Sequence, residues 1–222
     1  YLNVCLFSNN NIIIESEHEQ MKTKITNKNI DWVYIKNACR TTVGKEYTDN
    51  EPSNNFKTSL LISEHSPIRL GTVSWKWGSI KSWIATHFAR HHIGIEKFIS
   101  TQRDDRTDNT ISRDELKQGA IVKFDGIANL QALINMGRVR LCYQASSETR
   151  EYMEDLKITI HDEVDTTVAD VIVPNCIYRC GCPEFKECGF WSKFVKDNID
   201  IDLTDIKTRY EFYNKQFYDK RK

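Results

Sequence analysis

The stretch Glu64–Arg106, EHSPIRLGTVSWKWGSIKSWIATHFARHHIGIEKFISTQRDDR, contains the change of period on which the fold turns. From Arg69 to Trp77 apolar positions alternate, with Val73, Trp75 and Trp77 on one side, which predicts a strand with one buried face. From Ser79 the period lengthens. Ile80, Trp83, Ile84, His87, Phe88 and His91 fall at helical offsets, so an amphipathic helix is expected with Ser79 as N-cap and Gly94 as its end. Arg90, His91 and His92 then stand at the C-terminal end of that helix, and Ser100-Thr101-Gln102-Arg103 in the loop that follows. The stretch gathers His65, His87, Arg90, His91, His92, Arg103 and Arg106 near Trp75, Trp77 and Trp83. Arginines beside hydroxyls suit a bound phosphate, because a guanidinium offers a planar fork of donors. The competing reading is a solvated basic face over core tryptophans.

Composition bounds the rest. The 222 residues are 40% hydrophobic and 28% charged, ordinary for a soluble globular chain with a sizeable core. Basic and acidic residues number 31 each and cancel, which argues against a general nucleic-acid or anionic-membrane surface while leaving room for a local phosphate site. No apolar run approaches the roughly 20 residues that span a bilayer. The chain opens on Tyr1 rather than Met, which leaves room for a preceding segment, and no signal peptide is read. Seven unevenly spread cysteines point to reduced thiols and a cytoplasmic setting rather than a disulfide framework.

Outward from the central stretch, residues 2–7 and 11–14 read as short strands, and 15–29 as a loop or frayed helix. Trp32, Ile35 and Cys39 predict a helix after Asp31. Thr48 to Lys57 reads as a loop, and Phe56 to Ser63 as a short helix with Leu60 and Leu61 inward. Ser112 resembles an N-cap followed by acidic residues. A helix is expected over Ile127–Val139 with Leu130, Leu133 and Ile134 on one face, another from Ser146 or Ser147, and another over His161–Val173 that stops before Pro174. The charged, aromatic tail from Asn198 to residue 222 predicts a peripheral helix. The whole, residues 1–222, reads as a single domain with a Cys-rich loop at 175–190.

A second stretch, Asn129-Leu-Gln-Ala-Leu-Ile-Asn135-Met-Gly-Arg-Val-Arg140, followed by Ala145-Ser-Ser-Glu-Thr-Arg150, completes a pair of motifs. Together the two stretches resemble the flavin-dependent thymidylate synthases (the ThyX family). Arg90-His91-His92 and Thr101-x-Arg103 resemble the ends of R-H-R-x-x-S-x-N-E-x-S-x-R, with His92 in place of Arg, one residue inserted and no N-E pair in IGIEKFI. His65-Ser66-Pro67 is similar to an upstream H-x-S/T-P segment, and His87 stands where the family usually carries Gln. Asn129 to Arg140 matches N-x-R-x-L-x-N-x-x-x-L-R without a gap, with Gln131 in place of Arg.

The resemblance implies an α/β (α+β) fold, a central sheet with flanking helices. It implies reductive methylation of deoxyuridine monophosphate to thymidylate, with flavin adenine dinucleotide (FAD) as cofactor and NADPH and methylene-tetrahydrofolate as co-substrates, in a homotetramer with shared active sites. It assigns Ser100, Thr101, Arg103, Arg140 and His87 to the nucleotide, Arg140 also to its activation, and His65, Arg90, His91, His92, Asn129 and Asn135 to the flavin. A related pyrimidine-modifying enzyme, for example a hydroxymethylase, and a non-catalytic flavin- or nucleotide-binding relative remain open.

Other readings compete at single positions. Arg140 alone could be a surface ion pair with Glu148 or Glu151. His87 and His91 have metal-like H-x-x-x-H spacing without a third ligand in sequence, against packing or flavin contacts. Arg103-Asp104-Asp105-Arg106 offers either a carboxylate pair for catalysis or acids that orient the arginines. Cys176, Cys180, Cys182 and Cys188 could bind zinc, form disulfides or pack as small hydrophobes, and the implied chemistry needs no thiolate from them.

Overall fold

The computed structural model describes residues 23–107 and 111–220. The strands expected at 2–7 and 11–14 lie outside them.

Four strands form one antiparallel sheet in the order β1-β2-β4-β3: β1 Lys24–Asn29, β2 Thr72–Lys81, β3 Ile95–Ile99 and β4 Ile121–Asn129. The alternation in β2 behaves as its side chains dictate: Val73, Trp75 and Trp77 are fully buried. Trp75 pairs with Gly126 and Trp77 with Phe124 across β4. A Cβ on Gly126 would lie 2.4 Å from the Trp75 ring, so only glycine lets the indole cover that strand. Trp77 packs 4.7 Å from Phe88, 5.1 Å from Phe124 and 5.3 Å from Tyr152, between ring centroids. In β4 the opposite face, with Ile121, Lys123, Asp125 and Ile127, is exposed.

Helices cover the other face of the sheet. α1 Trp32–Thr41 is capped by Asp31 and α2 Asn54–Ile62 by Ser53. A 3-10 turn, Ser66–Leu70, leads into β2. α3 Ser82–Ala89 follows β2 directly, α4 Leu130–Arg140 follows β4 directly, and α5 Ser147–Glu163 is capped by Ser146. Short α6 Thr166–Asp170 and α7 Asn175–Arg179 precede α8 Phe190–Asp197 and α9 Ile206–Asp219. Buried apolar side chains from Trp32 to Phe217 form one cluster.

The structure moves several expected boundaries. Residues 24–29 form β1 rather than a loop or frayed helix, and α2 begins at Asn54, inside the expected loop. Ser79 and Ile80 continue β2, because a bulge after Trp77 lets Ile80 pair with Val122; the helix therefore starts at Ser82 without a side-chain cap. Ile127 to Asn129 end a strand, and Asn129 caps α4 through its Oδ1, 2.9 Å from the Ala132 amide. The helix expected over His161–Val173 breaks at Val164, where Asp165 turns to cap a new helix at Thr167 and Val168.

The tail helix is not peripheral. Tyr210, Tyr213 and Phe217 of α9 are buried, and Asn214 accepts a 2.8 Å hydrogen bond from Lys157 Nζ. Among the described residues no helix is long and apolar enough to cross a membrane.

Candidate functional site

The site is built where α3 ends and α4 runs alongside. Arg90 is the C-cap of α3, and the chain turns through His91 and His92 to Gly94, whose φ is +72°. The turn is pinned to the start of α4. Asn129 N–H donates to the Gly94 carbonyl at 2.9 Å, and a Cβ on Gly94 would meet the Asn129 amide at 2.5 Å, so glycine is required on both counts. Asn129 thus caps a helix and closes a turn at once.

At the other end of α4, the Arg140 side chain reaches back to the same segment. Its Nε donates to His91 Nε2 at 2.9 Å, and Nη2 donates to the His87 carbonyl. Accepting at Nε2 makes His91 neutral, with its proton on Nδ1. Burial, Arg140, Lys97 and His92 push its pKa down to about 4. Burial, then Arg140 and Arg90, lower His87 as well. Arg140 itself is held below its ordinary value by burial and by Arg90. Among the described residues no carboxylate pairs with Arg140, so the surface ion pair with Glu148 or Glu151 does not form. Arg90 and Arg140, with His91 and His87 beside them, therefore form a cationic corner without a counter-ion among the described residues. His92 lies at its edge, exposed, with Nδ1 3.0 Å from the Arg90 carbonyl.

A polar cleft of about 450 Å³ adjoins this turn, lined by Glu64, Arg69, Ile93, Gly94, Asn129, Gln131 and Asn135. Glu64 adopts the left-handed conformation, φ +52°, where α2 ends. Its carboxylate takes both terminal nitrogens of Arg138 and the Gln131 amide. Burial would raise the Glu64 carboxyl, but Arg138 and Gln131 outweigh it and hold the pKa below its ordinary value. Arg138 also stacks 3.5 Å from the Tyr178 ring centroid and donates to Asn135 Oδ1 at 3.2 Å. Glu64, Arg69 and Arg138 escaped the sequence reading. Arg138 shares a stretch with Arg140, and only the facing of α4 separates the paired arginine from the unpaired one.

The other expected residues fall elsewhere. His65 is exposed, next to Glu64. Ser100, Thr101 and Arg103 lie beyond the far end of β3, about 20 Å or more along the strand from the Gly94 turn. Ser100 is held against β4, its Oγ accepting from Lys123 N–H at 2.9 Å. Exposed Arg103 forks onto Asp105 at 2.9 and 2.7 Å, as acids orienting arginines would do, and its amide donates to Thr101 Oγ1 at 3.2 Å. One chain does not join this segment to the Arg140 corner.

The structure narrows the histidine and cysteine readings. His91 Nε2 is occupied by Arg140, and His87 Nδ1 lies 2.8 Å from Thr149 Oγ1, so the H-x-x-x-H pair is turned to packing and hydrogen bonding. Cys180 is directed to the Leu203 carbonyl, 3.4 Å away. Cys176 is buried, which raises its thiol to about 12, and its neighbours include Cys142, from outside the Cys-rich stretch, with Cys182 and Cys188. Among the described residues no three His, Cys, Asp or Glu side chains are grouped to hold a metal ion.

Comparison of the chain with protein-family models and with curated proteins gives no match.

Proposed function

We propose that the chain is a flavin-dependent thymidylate synthase of the ThyX kind, which methylates deoxyuridine monophosphate (dUMP) to thymidylate. The observation that carries this reading is Arg140, half-buried beside Arg90, bonded to a neutral histidine and lacking a carboxylate partner among the described residues. A desolvated cation without a counter-ion is stabilised by an arriving anion. A guanidinium fixed against the base stabilises negative charge as it develops on the ring, and so favours the activated state over the ground state.

The cleft beside the turn suits the cofactor the motifs imply. Its volume falls in the range of small-molecule sites. Arg69 supplies a charge for phosphate, the amides of Asn129, Gln131 and Asn135 supply donors and acceptors, and Ile93, 79% exposed, offers apolar surface to a ring. Arg90, His91, His92 and His65 would border it. When bound, FAD supplies the hydride chemistry, with NADPH as reductant and methylene-tetrahydrofolate as carbon source. The protein's own part is to hold the nucleotide against Arg140, orient the base and exclude water.

The antiparallel sheet with flanking helices is compatible with a ThyX-like fold. The separation of Ser100–Arg103 from the corner supports shared sites: in a homotetramer, Ser100, Thr101 and Arg103 of another subunit would hold the nucleotide phosphate. A cytoplasmic setting belongs to the same proposal. The test uses the full chain with FAD, NADPH, methylene-tetrahydrofolate and dUMP tritiated at the ring position that is methylated. Tritium release and bound flavin absorbance are expected. A protein that binds no flavin and releases no tritium contradicts the proposal.

A further inference from the structure

One hydrogen-bonded chain beside the corner runs from the cap of α5 to His87. Ser146 Oγ accepts the Thr149 amide at 3.3 Å, capping α5, and stands 2.8 Å from Thr149 Oγ1. Thr149 is fully buried, and its Oγ1 lies 2.8 Å from His87 Nδ1. Each hydroxyl has one proton to give. If Thr149 donated to Ser146, the Ser146 proton would have no acceptor among the described residues and would turn to solvent, Ser146 being partly exposed. In the opposite direction every proton is used: Ser146 donates to Thr149, and Thr149 donates to His87 Nδ1. His87 is then protonated at Nε2, the ring nitrogen on the side away from Thr149.

The surroundings favour that neutral form. His87 faces Arg140 and Arg90, and burial together with those two cations lowers its pKa. The ring stands edge to face with Trp83, centroids 5.5 Å apart, and its backbone carbonyl is held by Arg140. His87 Nε2 has no partner among the described residues. A neutral N–H donor beside an aromatic wall is suited to an uncharged acceptor such as a ring carbonyl, while Arg90 and Arg140 already serve negative charge.

We propose that Ser146 and Thr149 are positioning residues that fix His87 as an Nε2–H donor, so that the site takes a nucleotide whose base offers a carbonyl oxygen there, uracil and not cytosine. The choice of base rests on the nucleotide reading above; the tautomer does not. An exocyclic amine at the same place would set donor against donor and leave both unpaired.

The test has two arms. In the first, the full chain labelled with ¹⁵N-histidine is studied by long-range proton–nitrogen correlation, the His87 signals being identified by their loss in His87→Gln. The proton is expected on Nε2 in the native protein and in Thr149→Ser, and on both nitrogens in Thr149→Val. Thr149→Ala gives the same readout if Thr149→Val does not fold. A proton on Nδ1 in the native protein, or no change in Thr149→Val, overturns the device. In the second arm, calorimetry compares dUMP with deoxycytidine monophosphate. Native protein should prefer dUMP, and Thr149→Val should lose roughly 3- to 10-fold of that preference, regained in Thr149→Ser. Equal affinity for the two nucleotides, with the Nε2 tautomer present, overturns the base assignment. Binding of neither nucleotide overturns the nucleotide reading and the base assignment with it, while the first arm still decides the tautomer.

Discussion

Two groups of cations divide the molecule, one buried among the C-terminal helices and one at a half-buried corner. In the C-terminal helices Lys157 is fully buried, with Nζ donating to the Ala169 carbonyl at 2.6 Å, the Ile172 carbonyl at 3.0 Å and Asn214 Oδ1 at 2.8 Å. The rings of Tyr213, Phe217 and Tyr218 lie 5.1–5.7 Å from it. Arg209, 3% exposed, gives its protons to the carbonyls of Ile177, Leu203, Thr204 and Tyr178. Each cation ties segments together by saturating acceptors that helix ends leave over. At the corner of α3 and α4 the arrangement is reversed: Arg140 faces Arg90 and two neutral histidines. A saturated cation is part of the scaffold. A cation left short of acceptors is costly unless something else completes it. The same residue types are thus sorted into structural and functional roles by their acceptors.

The sharpest break between the groups is kinetic. Arg140→Ala should reduce turnover by about 2.7–4 kcal/mol, roughly a hundred- to a thousand-fold, with flavin still bound, as measured by tritium release. Unchanged turnover would remove Arg140 from the chemistry. Lys157→Met should do the opposite. It strands three buried acceptors and should cost about 3 kcal/mol of unfolding free energy in a urea titration, with the dUMP dissociation constant of the folded protein unchanged.

Acid should weaken the corner selectively. The folded His91 value, about 4, lies below the ordinary 6.5, so the native state resists the proton. Its stabilising contribution is present above about pH 6.5 and is lost as pH falls toward 4. Partial exposure reduces the effect, and a loss of about 1–3 kcal/mol is expected. Urea midpoints at several pH values should show this loss in the native chain and a smaller one in His91→Gln; parallel curves would contradict it. The smallest effect is expected at Arg103, whose exposed pair with Asp105 contributes within about 0.5 kcal/mol of stability. Arg103→Ala should mainly raise the Michaelis constant for dUMP, because a phosphate charge is the same before and during reaction.

Much of this was legible in the residues. Val73, Trp75 and Trp77 announced β2, Ser146 announced the start of α5, and Leu60 and Leu61 announced the buried face of α2. Strand β4 was also written in the alternation of Val122 and Phe124 with Lys123 and Asp125, but its final turn into α4 carries helical spacing, and helix was read back into the strand. The break at Val164 was hidden because Asp165, a cap in the structure, sits among valines that continue the helical period. The candidate residues at 87–92 and 129–140 could be read from motif spacing, and they meet in space. What spacing could not reveal is which arginine has a partner. Arg138 and Arg140 differ by the turn of a helix, and only the position of Glu64, at the end of a distant helix, decides between them. The burial of Lys157 and Arg209 was equally unreadable, because their acceptors are backbone carbonyls that every sequence possesses.

The central claim is that Arg140 is held for an anion and not for the fold. It is tested most directly by measuring turnover and unfolding free energy together on the native chain and Arg140→Gln. The variant is expected to lose roughly a hundred- to a thousand-fold in tritium release while its unfolding free energy stays equal or rises, since a desolvated charge has been removed. A variant that turns over dUMP as fast as the native chain, or that unfolds as readily as Lys157→Met, would contradict it.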